Sequence, residues 1–225
     1  MSQFIIIAVD GPAASGKGTL ARRLAEQFHL FYLDTGAIYR AAAKHILDTN
    51  GNPDDPESAV TAAIYVRDNL SWEMLNDPAL RTDIVADATS RSCRFPPMRQ
   101  ILLDTQRLYA THPPLMESKN KPFQGSVLDG RDIGTVVCPN ADVKLYVTAD
   151  VETRAKRRYQ ELSGKGVPTT YEIVLQDMMD RDARDSGRET APLKPASDAI
   201  IVDTSALNAD EALRTAADII RAKLV

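Results

Sequence analysis

The sequence is poor in the residues that build metal clusters, disulfide scaffolds and membrane spans. Its 225 residues include only two cysteines, Cys93 and Cys138, and three histidines, His29, His45 and His112. The cysteines lie far apart in sequence, and the histidines have no Cys or carboxylate partners at ligand spacing. Metal-finger and disulfide-framework readings therefore drop out. The histidines are assigned to packing or to the surface. No apolar run reaches the ~20 residues that a membrane helix requires. The opening stretch, MSQFIIIAVDG, lacks the basic start and the long apolar run of a secretion signal. Positive charge is not in excess either. A formal net charge of −4 argues against a general nucleic-acid binder, although local basic clusters can still hold a small anion. No low-complexity segment or internal repeat stands out. The expectation is a reduced, cytoplasmic, monomeric globular protein that handles small molecules, not nucleic acid or membrane.

What the chain does contain is an alternation of strands and helices. FIIIAV (4–9) is a continuous apolar run rich in β-branched residues, as in a strand buried on both faces. Further strand candidates are LFYL (30–33), the short apolar run within 126–134, VKLYVTA (143–149) and AIIVDTS (199–205). Helices are expected from about Ala37 to Thr49, Val151 to Leu162, Tyr171 to Asp185 and Ala209 to Lys223. The stretch 53–109 reads as helical with no clear strand, and Trp72 with its neighbouring helices is expected in a core. Five short strands separated by helices imply an α/β fold with a parallel sheet. Ligands of such sheets bind beyond the carboxyl ends of the strands. Polar residues gather at those ends, at Asp10–Thr19, Asp34–Arg40 and Asp129–Asp132.

The stretch AVDGPAASGKGTLARRLAEQF (8–28) carries Gly11 and Gly16-Lys17 at the spacing of a phosphate-binding loop. Gly18 then intervenes, so that the expected hydroxyl, Thr19, comes one position late. Glycines let successive backbone N–H groups face an anion, and the helix that begins near Lys17 adds its positive end. Lys17 would serve the outer phosphates and Thr19 a Mg²⁺ shell. A tight turn that binds nothing would show the same glycines. The buried strand before the loop, and the helical spacing of Leu20, Leu24 and Phe28 after it, argue against that reading.

Rival nucleotide-binding classes lack their second motif. NKPF (120–123) has Phe123 where a guanine-binding loop needs Asp, and LSGKG (162–166) departs from a transporter signature at Lys165 and Gly166. Two arginine-rich stretches remain. MMDRDARDSGR (178–188) holds Arg181, Arg184, Asp185 and Arg188 on one helical face, and a second face holds Arg154, Lys156, Arg157 and Arg158. Either stretch alone also fits a solvated, salt-bridged surface.

Taken together, and in this order, four stretches resemble bacterial cytidylate kinases: DGPAASGKGTLA, DTGAIYR, DGRDIGTVV and RDARDSGR with the following APLKPASDA. The G-K-G-T form itself resembles nucleoside monophosphate kinases, and the resemblance covers about residues 5 to 220. It implies an α/β three-layer P-loop kinase core with a five-stranded parallel sheet, an inserted helical acceptor-binding domain and a lid. The implied boundaries are a core of 1–36, 110–150 and 186–225, an insert of 37–109 and a lid region of 151–185. The implied reaction transfers a phosphoryl group from ATP, with Mg²⁺, to CMP or dCMP.

The same resemblance implies roles. Gly11, Pro12, Ala13, Ala14, Ser15, Gly16, Lys17, Gly18 and Thr19 hold ATP, with Thr19 towards the metal. Thr35, Arg99, Asp132 and Arg188 serve the cytosine pocket, and Ser90, Arg181 and Asp185 lie near the ribose, with Arg181 also close to phosphate. Arg40 and Arg131 clamp the acceptor phosphate. Arg154, Arg157 and Arg158 belong to a lid helix over ATP, with Gly164, Gly166 and Pro168 at its tip. Lys17, Arg131, Arg154, Arg158 and Arg181 carry charge in the transfer. Asp129 is placed either to order Mg²⁺-bound water or to cap and pair with Arg131. This chain has Thr35 where relatives often have Ser. Residues 69–90 look short, so the extent of the acceptor domain and the Ser90 role stay open. The segment 112–126 is given no role.

Overall fold

The structure, a computed structural model, describes residues 4–113 and 123–224. Most of segment 112–126, including most of NKPF, lies outside the described residues. The chain forms two compact units, one of residues up to 33 together with those from 113 onward, the other of residues 34–112.

The first unit is built on a five-stranded sheet of order β2-β3-β1-β4-β5. Its strands are β1 (Ile5–Asp10), β2 (Phe31–Asp34), β3 (Gly125–Gly130), β4 (Val143–Thr148) and β5 (Ile200–Asp203). β1 pairs in parallel with β3 and β4, and β4 pairs in parallel with β5. Central strands of such a sheet have no wet face, which explains the continuous apolar run of β1: Ile7, Ala8 and Val9 are fully buried. β5 lies at the edge, and there Ile201 is exposed while Val202 is buried.

Helices α1 (Lys17–Phe28) and α9 (Ala209–Leu224) cover the sheet. Leu20 and Leu24 of α1 and Ala216, Ala217 and Ile220 of α9 join Ile7, Val9, Val127 and Leu145 in one apolar cluster. Truncating Leu24 to Ala in such a cluster costs about 3 kcal/mol. Helices α7 (Val151–Gly164) and α8 (Tyr171–Ser186) form a second, smaller cluster through Ala155, Leu162, Val174 and Met178, which also takes in Ala13 of the glycine-rich loop. Thr170 caps α8 by accepting from the Ile173 N–H.

The second unit is helical. It comprises α2 (Thr35–Asp48), α3 (Pro56–Asn69), α4 (Trp72–Asn76), a 3₁₀ turn (Pro78–Arg81), α5 (Asp83–Ser92) and α6 (Pro96–Thr111). Alanines at the α2 and α3 positions Ala41, Ala42, Ala43, Ala59, Ala62 and Ala63 are buried, which lets the helix backbones approach closely. Two expectations need correction here. α2 begins at Thr35 and not at Ala37, because the Asp34 carboxylate accepts from the Ala37 N–H and caps the helix two residues early. Trp72 is not a core residue: its side chain is 42% exposed, and α4 has no buried residue.

Candidate active site

The glycine-rich loop joins β1 to α1. Gly11 takes φ +152°, and a Cβ there would stand 2.0 Å from the Val147 carbonyl oxygen of β4, so only glycine fits beneath that strand. Gly16, at φ 85°, turns the chain into α1. The first turn of α1 has neither a side-chain cap nor an acidic residue, so its N–H groups and dipole face the loop unneutralised. The loop is tied internally: buried Ser15 donates from Oγ to the Pro12 carbonyl at 3.1 Å. Ala14 is the exception to easy geometry, a non-glycine residue at φ 58°.

Lys17 donates to the Pro12 carbonyl at 3.3 Å and stands 3.8 Å from Asp129 at the end of β3. The Tyr32 hydroxyl donates to the other Asp129 oxygen at 3.4 Å. Asp129 thus stands beside the loop lysine, and its charge also acts on Arg131. The loop also borders a cavity of about 240 Å³, lined in part by Ser15, Gly16, Thr19, Arg157, Thr204 and Leu207.

The arginines of α7 reach different partners. Arg154 is buried and donates to the carbonyls of Ala149 at 2.9 Å and Ala13 at 3.3 Å, and it grips Asp182 of α8. Arg157 donates to the Thr204 carbonyl at 2.6 Å and to its hydroxyl at 3.1 Å. Thr204 Oγ1 in turn lies 3.0 Å from the Ser15 carbonyl. Arg158 pairs with Glu161 at 2.8 Å. Of the three α7 arginines, Arg154 and Arg157 are therefore anchored beside the loop, and Gly164, Gly166 and Pro168 fall at or just after the end of α7.

At the far end of α8, Asp185 gathers arginines. Its carboxylate accepts from Arg131 Nε at 3.0 Å and from Arg188. Burial alone would raise its pKa, but Arg131, Arg188 and Arg181 overcome this and hold it down at about 2. The Arg131 guanidinium, although desolvated, is held charged by Asp185, Asp129 and Asp10. Arg184 points to solvent, so the expected face is kept only by Arg181 and Asp185, and Arg188 lies past the helix end. Asp132 is buried just before a π-helical turn, Ile133–Val137.

In the helical unit, Thr35 is buried at the start of α2. Arg40 donates to Asp34 at 2.5 Å, packed over Gly36. Arg99 of α6 is buried with its guanidinium 5.2 Å from the Tyr39 ring, and the Tyr39 hydroxyl accepts from Gln106 at 3.2 Å. Ser90 sits on α5 with its hydroxyl buried and without a hydrogen-bond partner.

Residues that carried no assigned role now stand out. Asp182 holds Arg154, Thr204 holds Arg157, Asp34 holds Arg40 and Tyr39 lies under Arg99. Asp10, the last residue of β1, has both carboxylate oxygens on backbone N–H groups, those of Ile133 at 2.8 Å and Gly134 at 2.7 Å. Burial pushes its carboxyl up to about 6, against the pull of these N–H groups. Only the acid–base pair within DTGAIYR, Asp34 and Arg40 at i and i+6, was adjacent enough in sequence to suggest a bond.

A parallel α/β sheet whose first strand runs through a glycine-rich anion loop into a helix, with a lysine and a strand-end aspartate beside it, defines a P-loop nucleotide-binding protein. The family model described as "Cytidylate kinase" matches residues 7–222, and the chain belongs to that family. The "Cytidylate kinase" of Rhodospirillum rubrum is 51% identical over 219 residues, covering 97% of this chain and 98% of that one. The protein of the same name from Paramagnetospirillum magneticum is 50% identical over 218 residues, covering 97% and 98%. A solved structure of an uncharacterized protein from Eubacterium ventriosum matches with a TM-score of 0.53 at 14% identity, covering 98% of this chain and 99% of that one, a likeness of fold alone.

Proposed function

We propose that this protein transfers the terminal phosphoryl group of ATP to CMP and dCMP, forming CDP and dCDP. The observation that carries the reading is the glycine-rich loop with Lys17, set in the same compact unit as the arginine cluster around Asp185. Phosphoryl transfer needs positioning and charge neutralisation more than covalent chemistry, and arginine suits both because its charge is permanent and its fork is bidentate.

In this reading the amides from Gly11 to Thr19 and the Lys17 ammonium hold the ATP phosphates, and the cavity beside Arg157 and Thr204 takes the nucleoside end. Arg154, Arg158 and Arg181 add charge around the transferred group. Arg40 and Arg131 hold the acceptor phosphate. Thr35, Arg99, Asp132 and Arg188 read cytosine, while Ser90, Arg181 and Asp185 serve the sugar. The segment 151–185 acts as a lid that excludes water, and 37–109 as the acceptor-binding insert. No general base is required.

Mg²⁺ fits the donors present. Thr19 and Asp129 offer hard oxygens, and no cluster of three or more His, Cys, Asp or Glu that could cage an ion exists among the described residues. Such a site suits an ion that keeps waters and leans on substrate phosphates. Bound there, Mg²⁺ would supply neutralisation of phosphate charge. Among the described residues, no helix is long and apolar enough to cross a membrane. We read the enzyme as a cytoplasmic monomer acting on small molecules, supported by its composition.

Base choice follows from hydrogen bonding. Cytosine offers an exocyclic amine where uracil has a carbonyl, and a carboxylate such as Asp132 accepts from the first and repels the second. A panel of CMP, dCMP, UMP, AMP and GMP, with ADP release as readout, tests this. CMP and dCMP should be turned over far faster than UMP or AMP. UMP used as fast as CMP removes the Asp132 assignment, AMP preferred makes it a different monophosphate kinase, and no ADP with any acceptor makes it a nucleotide-binding switch.

A further inference from the structure

Residue 10 touches the segment Gly130–Gly134 twice. In the sheet, Asp10 is the register partner of Gly130, the last residue of β3. Its side chain then reaches past two residues and accepts from the N–H groups of Ile133 at 2.8 Å and Gly134 at 2.7 Å. Arg131 and Asp132 are therefore a two-residue span whose two ends are both fixed to one residue. The carboxylate is 4% exposed, so water does not compete for these bonds. Space is tight: a Cβ on Gly134 would come 3.3 Å from Asp10 Oδ2 and 3.1 Å from Lys144 Cδ.

Both oxygens are needed. The two N–H groups open the π-helical turn Ile133–Val137, where no side chain of the turn caps them. An oxygen acceptor is required for each, because a buried N–H without a partner is costly. The next residue after Asp10 is Gly11, clamped under Val147, so the anchor itself cannot drift. From this geometry we infer that Asp10 is a positioning residue for the acceptor nucleotide: it sets the conformation of Arg131 and Asp132, and through them the choice and hold of the monophosphate. It touches no substrate atom. The inference rests on the proposed roles of Arg131 and Asp132, and extends them to a residue behind them.

Asn at position 10 keeps the shape but presents an NH₂ to one of the two N–H groups, and Ala removes both acceptors. The test measures D10N and D10A in the full-length protein, with R131A and D132A alongside. KM and kcat are determined separately for CMP, UMP and ATP. Hydrogen–deuterium exchange is followed over 130–137 and over 11–19. For D10N and D10A we expect CMP kcat/KM to fall by about tenfold to a hundredfold, the scale of a small misplacement of a substrate-holding group. KM for ATP should stay within about twofold, as the phosphate loop keeps its own bonds. The CMP-to-UMP ratio should narrow, and exchange should quicken in 130–137 but not in 11–19.

If D10A does not fold, D10N decides alone. Unchanged exchange over 130–137 in D10N, or equal damage to ATP and CMP use, overturns the inference. Should exchange quicken while R131A and D132A leave CMP use intact, the anchor exists but the acceptor roles of those two residues fail. Should R131A and D132A cripple CMP use while D10N and D10A leave it untouched, the roles stand and the positioning by Asp10 fails.

Discussion

Arg154 and Asp182 meet in a two-pronged ion pair, Nη2 to Oδ2 at 2.6 Å and Nη1 to Oδ1 at 3.2 Å, joining the first turn of α7 to the last turns of α8. The arginine is buried, and its remaining bonds go to main-chain carbonyls, so removing the aspartate strands a charge. Asp182→Ala should cost about 2 kcal/mol, less than a fully buried pair because Asp182 is partly exposed, and lower Tm by roughly 6 °C. Differential scanning calorimetry checks this. ATP in excess should recover part of the loss, since phosphate offers Arg154 a second anion.

The glycine-rich loop makes two opposite demands. Gly11→Ala drives a methyl into the Val147 carbonyl and should cost several-fold more in stability than an ordinary surface change, with ATP binding lost in the same sample. Ala14→Gly removes a left-handed alanine, a strain of about 1 kcal/mol, at a similar entropic cost. Its Tm should move by less than a few degrees, while Ala14→Val, β-branched at the same φ, should be clearly destabilised. Thermal melts of the three variants separate these cases.

Lys17→Ala should reduce kcat by on the order of a hundredfold to a thousandfold, about 3 kcal/mol, the scale for losing one donor to developing anionic charge. Single-turnover kinetics with ATP and CMP is the measurement. The fold should be unaffected by far-UV circular dichroism, because the 3.3 Å bond from Lys17 to the Pro12 carbonyl and its 3.8 Å contact with Asp129 are long and lie outside the apolar cluster of the sheet.

Two buried carboxylates titrate in opposite senses. Asp185 falls from an ordinary 3.8 to about 2, so its stabilisation is present above pH 4 and is lost as pH drops towards 2. Asp10 rises from 3.8 to about 6, so its protonated form favours the fold below pH 4, and that advantage fades as pH climbs through 6. Urea denaturation across this range should show the wild-type lead over Asp185→Asn shrinking from pH 4 to pH 2. The difference from Asp10→Asn should instead change between pH 4 and pH 6.

Much of the core was legible because local and global signals agree there. β1 is buried on both faces and reads as an unbroken apolar run, and the glycine spacing that follows sits between that strand and an amphipathic helix, the context a phosphate-binding loop needs. Helices α7 to α9 were placed to within a few residues by their periodicity. The illegible parts depend on partners distant in the chain. Asp10 meets Ile133 across 123 positions and Thr204 meets Ser15 across 189, so no local pattern announces either bond. Trp72 misled because aromatic content usually signals burial, whereas the short helix α4 that carries it buries no residue. The arginines of α7 were recognised as a basic face, but which of them turn inward is decided by Asp182 and Thr204.

The division of the chain has a bearing on synthesis. The helical unit is one unbroken length, 34–112, whereas the sheet gathers its first strand from the opening residues and that strand's two neighbours from beyond residue 124. On the ribosome the helices can settle through short-range contacts while β1 waits, apolar and unpaired, for more than a hundred further residues to emerge. That interval leaves the apolar strand Ile5–Asp10 open to wrong pairing until its sheet neighbours emerge.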